Sequence, residues 1–132
     1  MANSLVGQQA AVILRAAGID RAAGFSLNVS NLQPTDALIN YGHALSALVG
    51  NKPFVIDTSR NGRGAPGGNF CNPAGAGLGL PPSAETGDRW CHAFLWIKRP
   101  GESDGSCGEC ASTPAGQFCR SYALELAQNA AF

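Results

Sequence analysis

PFVIDTSRNG, residues 53–62, decides how the chain is read. Its first half, Pro53-Phe54-Val55-Ile56-Asp57, is continuously apolar until it meets a carboxylate. An apolar run without alternation predicts a strand covered on both faces, as in parallel sheets. Just upstream, Gln33-Pro34-Thr35-Asp36 predicts a helix start, with Pro in the first turn. Leu38, Tyr41, Leu45 and Leu48 follow at helical spacing, and Gly50 ends the helix. Further back, Gly24 to Ser30 alternates as a strand does. Residues 4–17 predict a first helix, with Ser4 as cap, Val12, Ile13 and Ala16 on its buried face, and Gly18 as stop. Downstream, a Gly/Pro loop covers about 59–90, a third strand 93–97, and a charged, Cys-rich loop 98–113. Pro114 opens a last helix, with Phe118, Tyr122, Leu126 and Ala130 facing the core. The order α-β-α-β-loop-β-loop-α predicts an α/β fold, a parallel sheet with helices outside it. No internal repeat is present.

Length and composition bound the function classes. The 132 residues suffice for one domain with a core. Net charge is zero and no polybasic run occurs, which argues against nucleic-acid or membrane-surface binding. No apolar run approaches the roughly 20 residues of a membrane helix. The start, Met1-Ala2-Asn3-Ser4, lacks the pattern of a signal peptide. Five cysteines, at 71, 91, 107, 110 and 119, nonetheless suggest disulfides and an oxidising compartment.

Each predicted strand runs into polar residues at its C-terminal end. These are Asn28 and Asn31, then Asp57 and Arg60, then Lys98, Glu102 and Asp104. Active sites of parallel α/β folds sit at that end, where the βα loops converge. Loops are polar in any case, and Asn is a common turn residue. Asp57 is more telling: a carboxylate at the end of a buried strand needs a partner, and Arg60 is close enough in sequence to supply one. Glu102 and Asp104 stand beside Lys98 and Arg99. Such a cluster is either a surface salt-bridge network or a site whose carboxylates are tuned by their environment.

The order of motifs decides between these. Ile56–Gly62, Phe70-Cys71-Asn72-Pro73, Gly75–Gly79, Thr86-Gly87-Asp88 and Ala93–Gly105 follow one another, with Asn28-Val29-Ser30-Asn31 upstream and Pro114–Gln117 downstream. Together they resemble the C-terminal part of glycoside hydrolase family 6, the inverting endoglucanases and cellobiohydrolases, from about residue 8 to the end. The resemblance implies a partial distorted (α/β) barrel, with residues 1–132 as a single partial domain and the cleft at the strand C-termini. It implies hydrolysis of β-1,4-glucan, an extracellular location and no cofactor or metal. Asp104 matches the carboxylate linked to the general base, and Arg60 an Arg that pairs with it. Lys98, Glu102 and Asn31 match sugar-binding residues, and Asp57 a supporting carboxylate. Phe70 stands where a sugar-stacking Trp is usual, and His92 where a strand-opening Asp is usual. His92 is either a proton carrier or a satisfied strand-start histidine.

The resemblance also pairs Cys71 with Cys107; Cys110 with Cys119 is then the second bridge, with Cys91 a buried free thiol. Zinc at Cys107 and Cys110 is the alternative, lacking a second pair of ligands. The Gly-rich loop lacks P-loop spacing and reads as a cleft wall. The short loop between Asp104 and Pro114 favours an open cleft and endo attack. The match covers less than half of a typical family catalytic domain, and the general-acid motif falls outside it. Two readings follow: part of an endoglucanase that needs the missing N-terminal half of the barrel, or an inactive remnant that binds β-glucan weakly.

Overall fold

The run at Phe54–Asp57 (β2) is the middle strand of a three-stranded parallel sheet. β1 (Phe25–Leu27) and β3 (Cys91–Leu95) flank it. The computed structural model describes residues 2–132, with side chains from Gly7 onward. The helices are α1 (Ala2–Ala17), α2 (Thr35–Leu48) and α3 (Arg120–Gln128). The predicted element order and the parallel pairing are both present. Ser4, the expected cap of α1, lies outside the described side chains.

Phe25, Leu27, Phe54, Ile56 and Phe94 form one face of the sheet and pack with Leu38 and Leu45 of α2 and Ala11 of α1. Contact between α2 and β2 depends on Gly42, where a Cβ would stand 2.3 Å from the Phe54 ring. The expected buried face of α1 is corrected by the structure. Ala11 is buried and Leu14 half-buried, whereas Val12 and Ile13 are 63% and 67% exposed and Ala16 is exposed. Helical spacing alone did not say which of two apolar stripes turns inward.

Two strands are shifted or shortened relative to expectation. β1 stops at Leu27 because Asn28 and Ser30 turn to φ 65° and 63°, a left-handed backbone that no strand continues through. β3 begins earlier, at Cys91, and carries a bulge: Phe54 pairs with Cys91 and Val55 with Ala93, leaving His92 as the extra residue. His92 is exposed, beside Ser26 and Val55, at the opposite end of the sheet from the Asp57 terminus.

The last helix is also later than expected. Residues 114–119 do not coil, because they run against the charged loop. Ser103 and Cys119 donate main-chain bonds to Gln117 and Gly101, and Gly116 donates to Ser103. That pairing takes the Cys119 amide and the Gln117 carbonyl, both of which a helix opening at Pro114 would use. Phe118 is consequently 68% exposed, not in the core, and Ala130 is only half-buried. Tyr122 and Leu126 are buried as expected, in a second apolar cluster with Leu32, Ala76, Cys110 and Cys119.

Candidate active site

The three strand exits meet at Asp57. Its side chain is fully buried. Oδ2 accepts the main-chain N–H of Ser30 and of Lys98, both at 3.0 Å, and Oδ1 accepts that of Ser59 at 2.9 Å. Asp57 thereby pins the exits of β1 and β3 to that of β2. The expected partnership with Arg60 is not made. Three main-chain donors satisfy the carboxylate, and the guanidinium is left to face elsewhere.

Arg60 turns to Asp104. Nη1 donates to Asp104 Oδ2, while Nη2 donates to the carbonyls of Ser30 and, at 3.4 Å, Phe70. On the other side, Lys98 Nζ donates to Asp104 Oδ1 at 2.8 Å. The main-chain N–H of Asn72 supplies a further bond to Oδ2, 2.9 Å long. Burial pushes the Asp104 carboxyl up, but the hydrogen bonds from Arg60, Lys98 and Asn72 outweigh it and hold the group below its ordinary value of 3.8.

Lone pairs show what this carboxylate can still do. Each oxygen has about two acceptor sites. Oδ2 uses both, on Arg60 and Asn72; Oδ1 uses one, on Lys98. One site on Oδ1 remains for a water, and the side chain keeps 16% exposure through which a water can reach it. Arg60 is sealed at 2%.

Tyr122 of α3 is buried behind Arg60. Its hydroxyl approaches the guanidinium without hydrogen-bond geometry, and it and Arg60 Nε both lack a partner among the described residues. Burial pushes the phenol up to about 12, with Arg60 partly opposing, so it stays neutral.

The structure thus brings Asp57, Arg60, Lys98 and Asp104 into one bonded group. Glu102 is not part of it: Oε2 pairs with Arg99, 2.6 Å from Nε, on a more open surface. Asn31 is exposed on the turn after β1, and Phe70, 48% exposed, stands on the loop above Arg60. Disulfides join Cys71 to Cys107 and Cys110 to Cys119, and Cys91 is a buried free thiol. Both cysteines of the alternative zinc reading are therefore consumed in bridges. Sequence reasoning gave no role to Ser30, Tyr122 or Asn72. Ser30 and Asn72 each stood inside a quoted motif, and Tyr122 was placed only as a core residue of the last helix.

The family model "Glycosyl hydrolases family 6" matches residues 3–130. The chain belongs to glycoside hydrolase family 6. It is 47% identical to Endoglucanase A of Cellulomonas fimi over 117 residues, covering 89% of this chain and 25% of that protein. Identity to Endoglucanase 1 of Streptomyces halstedii is also 47%, covering 86% of this chain and 36% of the relative. Among solved structures, the endoglucanase Cel6 of Mycobacterium tuberculosis, in complex with methyl-cellobiosyl-4-deoxy-4-thio-β-D-cellobioside, superposes with a TM-score of 0.84 at 49% identity. That match covers 93% of this chain and 43% of the other. The family 6 chain therefore spans well under half the length of these relatives.

Proposed function

We propose that this chain carries the water-handling and sugar-gripping side of an inverting β-1,4-glucanase of endo type. One observation supports this most: Asp104, at the C-terminal end of a parallel sheet in a family 6 chain, is held ionised with one acceptor site open. Inversion needs a carboxylate on the attacking water and an acid on the leaving oxygen, roughly 6.5–9.5 Å apart. In this reading Asp104 Oδ1 accepts the water's hydrogen bond, which turns a water lone pair toward the anomeric carbon; as that C–O bond forms the water's proton passes to Asp104, and the glycosidic oxygen leaves with the acid's proton. Arg60 and Lys98 keep the carboxylate charged and still. A carboxyl lowered below its ordinary value is a weaker base than a free one, and as a fixed anion it also orients the water and stabilises positive charge developing on the sugar. Lys98, Glu102 and Asn31 bind sugar hydroxyls, and Phe70 offers a stacking face smaller than a Trp.

The acid comes from a barrel half supplied by the rest of a family 6 domain. Exposed Val12 and Ile13, and an uncovered sheet face bearing Val55 and Leu95, support such a partner. Two disulfides support an extracellular setting. The short coverage of relatives also favours a second reading, a half-domain that binds β-glucan weakly without cleaving it.

Reducing-sugar release from carboxymethylcellulose separates the two. The chain is tested alone and mixed with the N-terminal segment of a family 6 endoglucanase, beside Asp104→Asn. Release by the mixture that collapses in the variant supports the enzyme reading. Release that Asp104→Asn leaves unchanged removes Asp104 from the chemistry. Binding without release supports the second reading.

A further inference from the structure

Asn72 is fully buried and bonds to Asp104 at both ends of that residue. Its Oδ1 accepts the Asp104 main-chain N–H at 2.9 Å, and its own main-chain N–H donates to Asp104 Oδ2 at 2.9 Å. Nδ2 donates to the carbonyls of Gly105 at 2.8 Å and Cys107 at 3.1 Å. The Asn72 carbonyl accepts from Glu109 N–H at 3.0 Å. Every polar group of the residue is therefore committed to the loop that carries Asp104.

Two local features make this possible. Asn72 has φ 40°, a left-handed backbone that Asn tolerates better than most residues. Gly108 lies against its carbonyl, where a Cβ would stand 2.3 Å from the oxygen. The neighbouring Cys71–Cys107 bridge ties the same two loops, but it places no donor or acceptor on the Asp104 side chain. A loop staple would be satisfied by the bridge alone; the paired bonds to Asp104 do something more specific.

We infer that Asn72 is a positioning residue that holds the Asp104 carboxylate against Arg60 and Lys98, fixing which of its oxygens faces water. The inference rests on the reading of Asp104 as the water-handling group. Its test does not depend on glucan.

The test is carboxyl-carbon NMR titration of Asp104, with hydrogen exchange of its main-chain amide, in this chain and in Asn72→Gly. Glycine keeps the positive φ and the main-chain donor and removes only the side chain. The Ile56 amide gauges the fold. The side chain grips the Asp104 main-chain N–H and not the carboxylate, so its loss acts by loosening the Asn72 N–H bond to Oδ2, and the Asp104 titration is expected to move up toward 3.8. Its amide is expected to exchange about tenfold faster or more, with Ile56 unchanged. An Asp104 titration identical in a folded Asn72→Gly would overturn the inference. The parent alone gives a second reading should the variant not fold. Asn72 main-chain and Nδ2 proton shifts must follow the Asp104 titration, and flat Asn72 shifts through that range also overturn it. Cellotetraose added to the parent tests the functional reading separately: no shift on Lys98 or Asp104 counts against glucan binding and leaves the Asn72 result standing.

Discussion

Asp104 is balanced between burial, which favours its neutral form, and three donors, which favour its charged one. Removing one donor should tip that balance. In Lys98→Met the Asp104 carboxyl is expected to titrate higher than in the parent, since a close cation is lost from a mostly buried site. NMR titration checks this, and an unchanged value would mean that Lys98 is screened from Asp104 in solution. The sign for stability follows. A carboxyl lowered on folding contributes stability that is fully present above its unfolded value, 3.8, and lost as pH falls through the lower folded value. Denaturant midpoints between pH 6 and pH 2 should therefore fall less steeply below about pH 4 in Asp104→Asn than in the parent. At this scale the sequence was informative only through the order of its motifs. The Asp104–Arg60 pair spans 44 positions, which no spacing rule could find. Local reasoning paired Asp57 with Arg60 instead, because it counted charges and not main-chain amides. Asn72 was overlooked because a polar residue in a Gly/Pro loop reads as a turn former.

Elements were more legible, since hydrophobic runs and helix stops are local signals. β2 and α2 lie within a residue or two of where their patterns put them. The misplacements come from partners distant in sequence: α1 turned its other stripe inward, and the 101–103 loop held 114–119 out of α3. Gly42 shows the packing that patterns miss. The helix passes so close to β2 that a methyl group would overlap the Phe54 ring. Gly42→Ala, ordinarily favourable in a helix, should instead destabilise by about 1–3 kcal/mol through overpacking. Urea unfolding decides it, and a stabilised variant would mean that α2 can slide outward at no cost. The second bridge acts on an element as well. Cys110–Cys119 closes a short segment ahead of α3 with a sequence separation of 9. Replacing both cysteines with Ser should cost about 2–3 kcal/mol, chiefly through the freed unfolded chain. The Asp104 titration should not move, because neither cysteine bonds to that residue.

For the whole molecule, a three-stranded sheet covered on one face is a poor end state. β1 and β3 each have a single strand neighbour among the described residues; Ser83 bridges the outer edge of β3 at Phe94, which leaves β1 as the more open edge. Val12, Ile13, Leu95 and Phe118 add exposed apolar area, and a net charge of zero offers little repulsion between copies. Alternation of elements foretold the parallel sheet. It could not foretell which face would stay open, because that depends on what else packs there. On the proposed reading, the same features that disfavour the chain alone would suit it to a second barrel half. An edge that pairs with other copies of itself should pair better with the strands whose register it matches. The chain alone is expected to self-associate as concentration rises, seen by sedimentation velocity. An equimolar N-terminal segment from a family 6 endoglucanase should replace that broad distribution with a single species of one copy each. The exchange rate of the Phe25 and Leu27 amides on β1 should fall in the mixture by about tenfold or more, while Ile56 on the central strand changes little. A chain that stays monomeric at high concentration and ignores the segment would show that the uncovered face is tolerated in water. The half-domain reading would then be the stronger one.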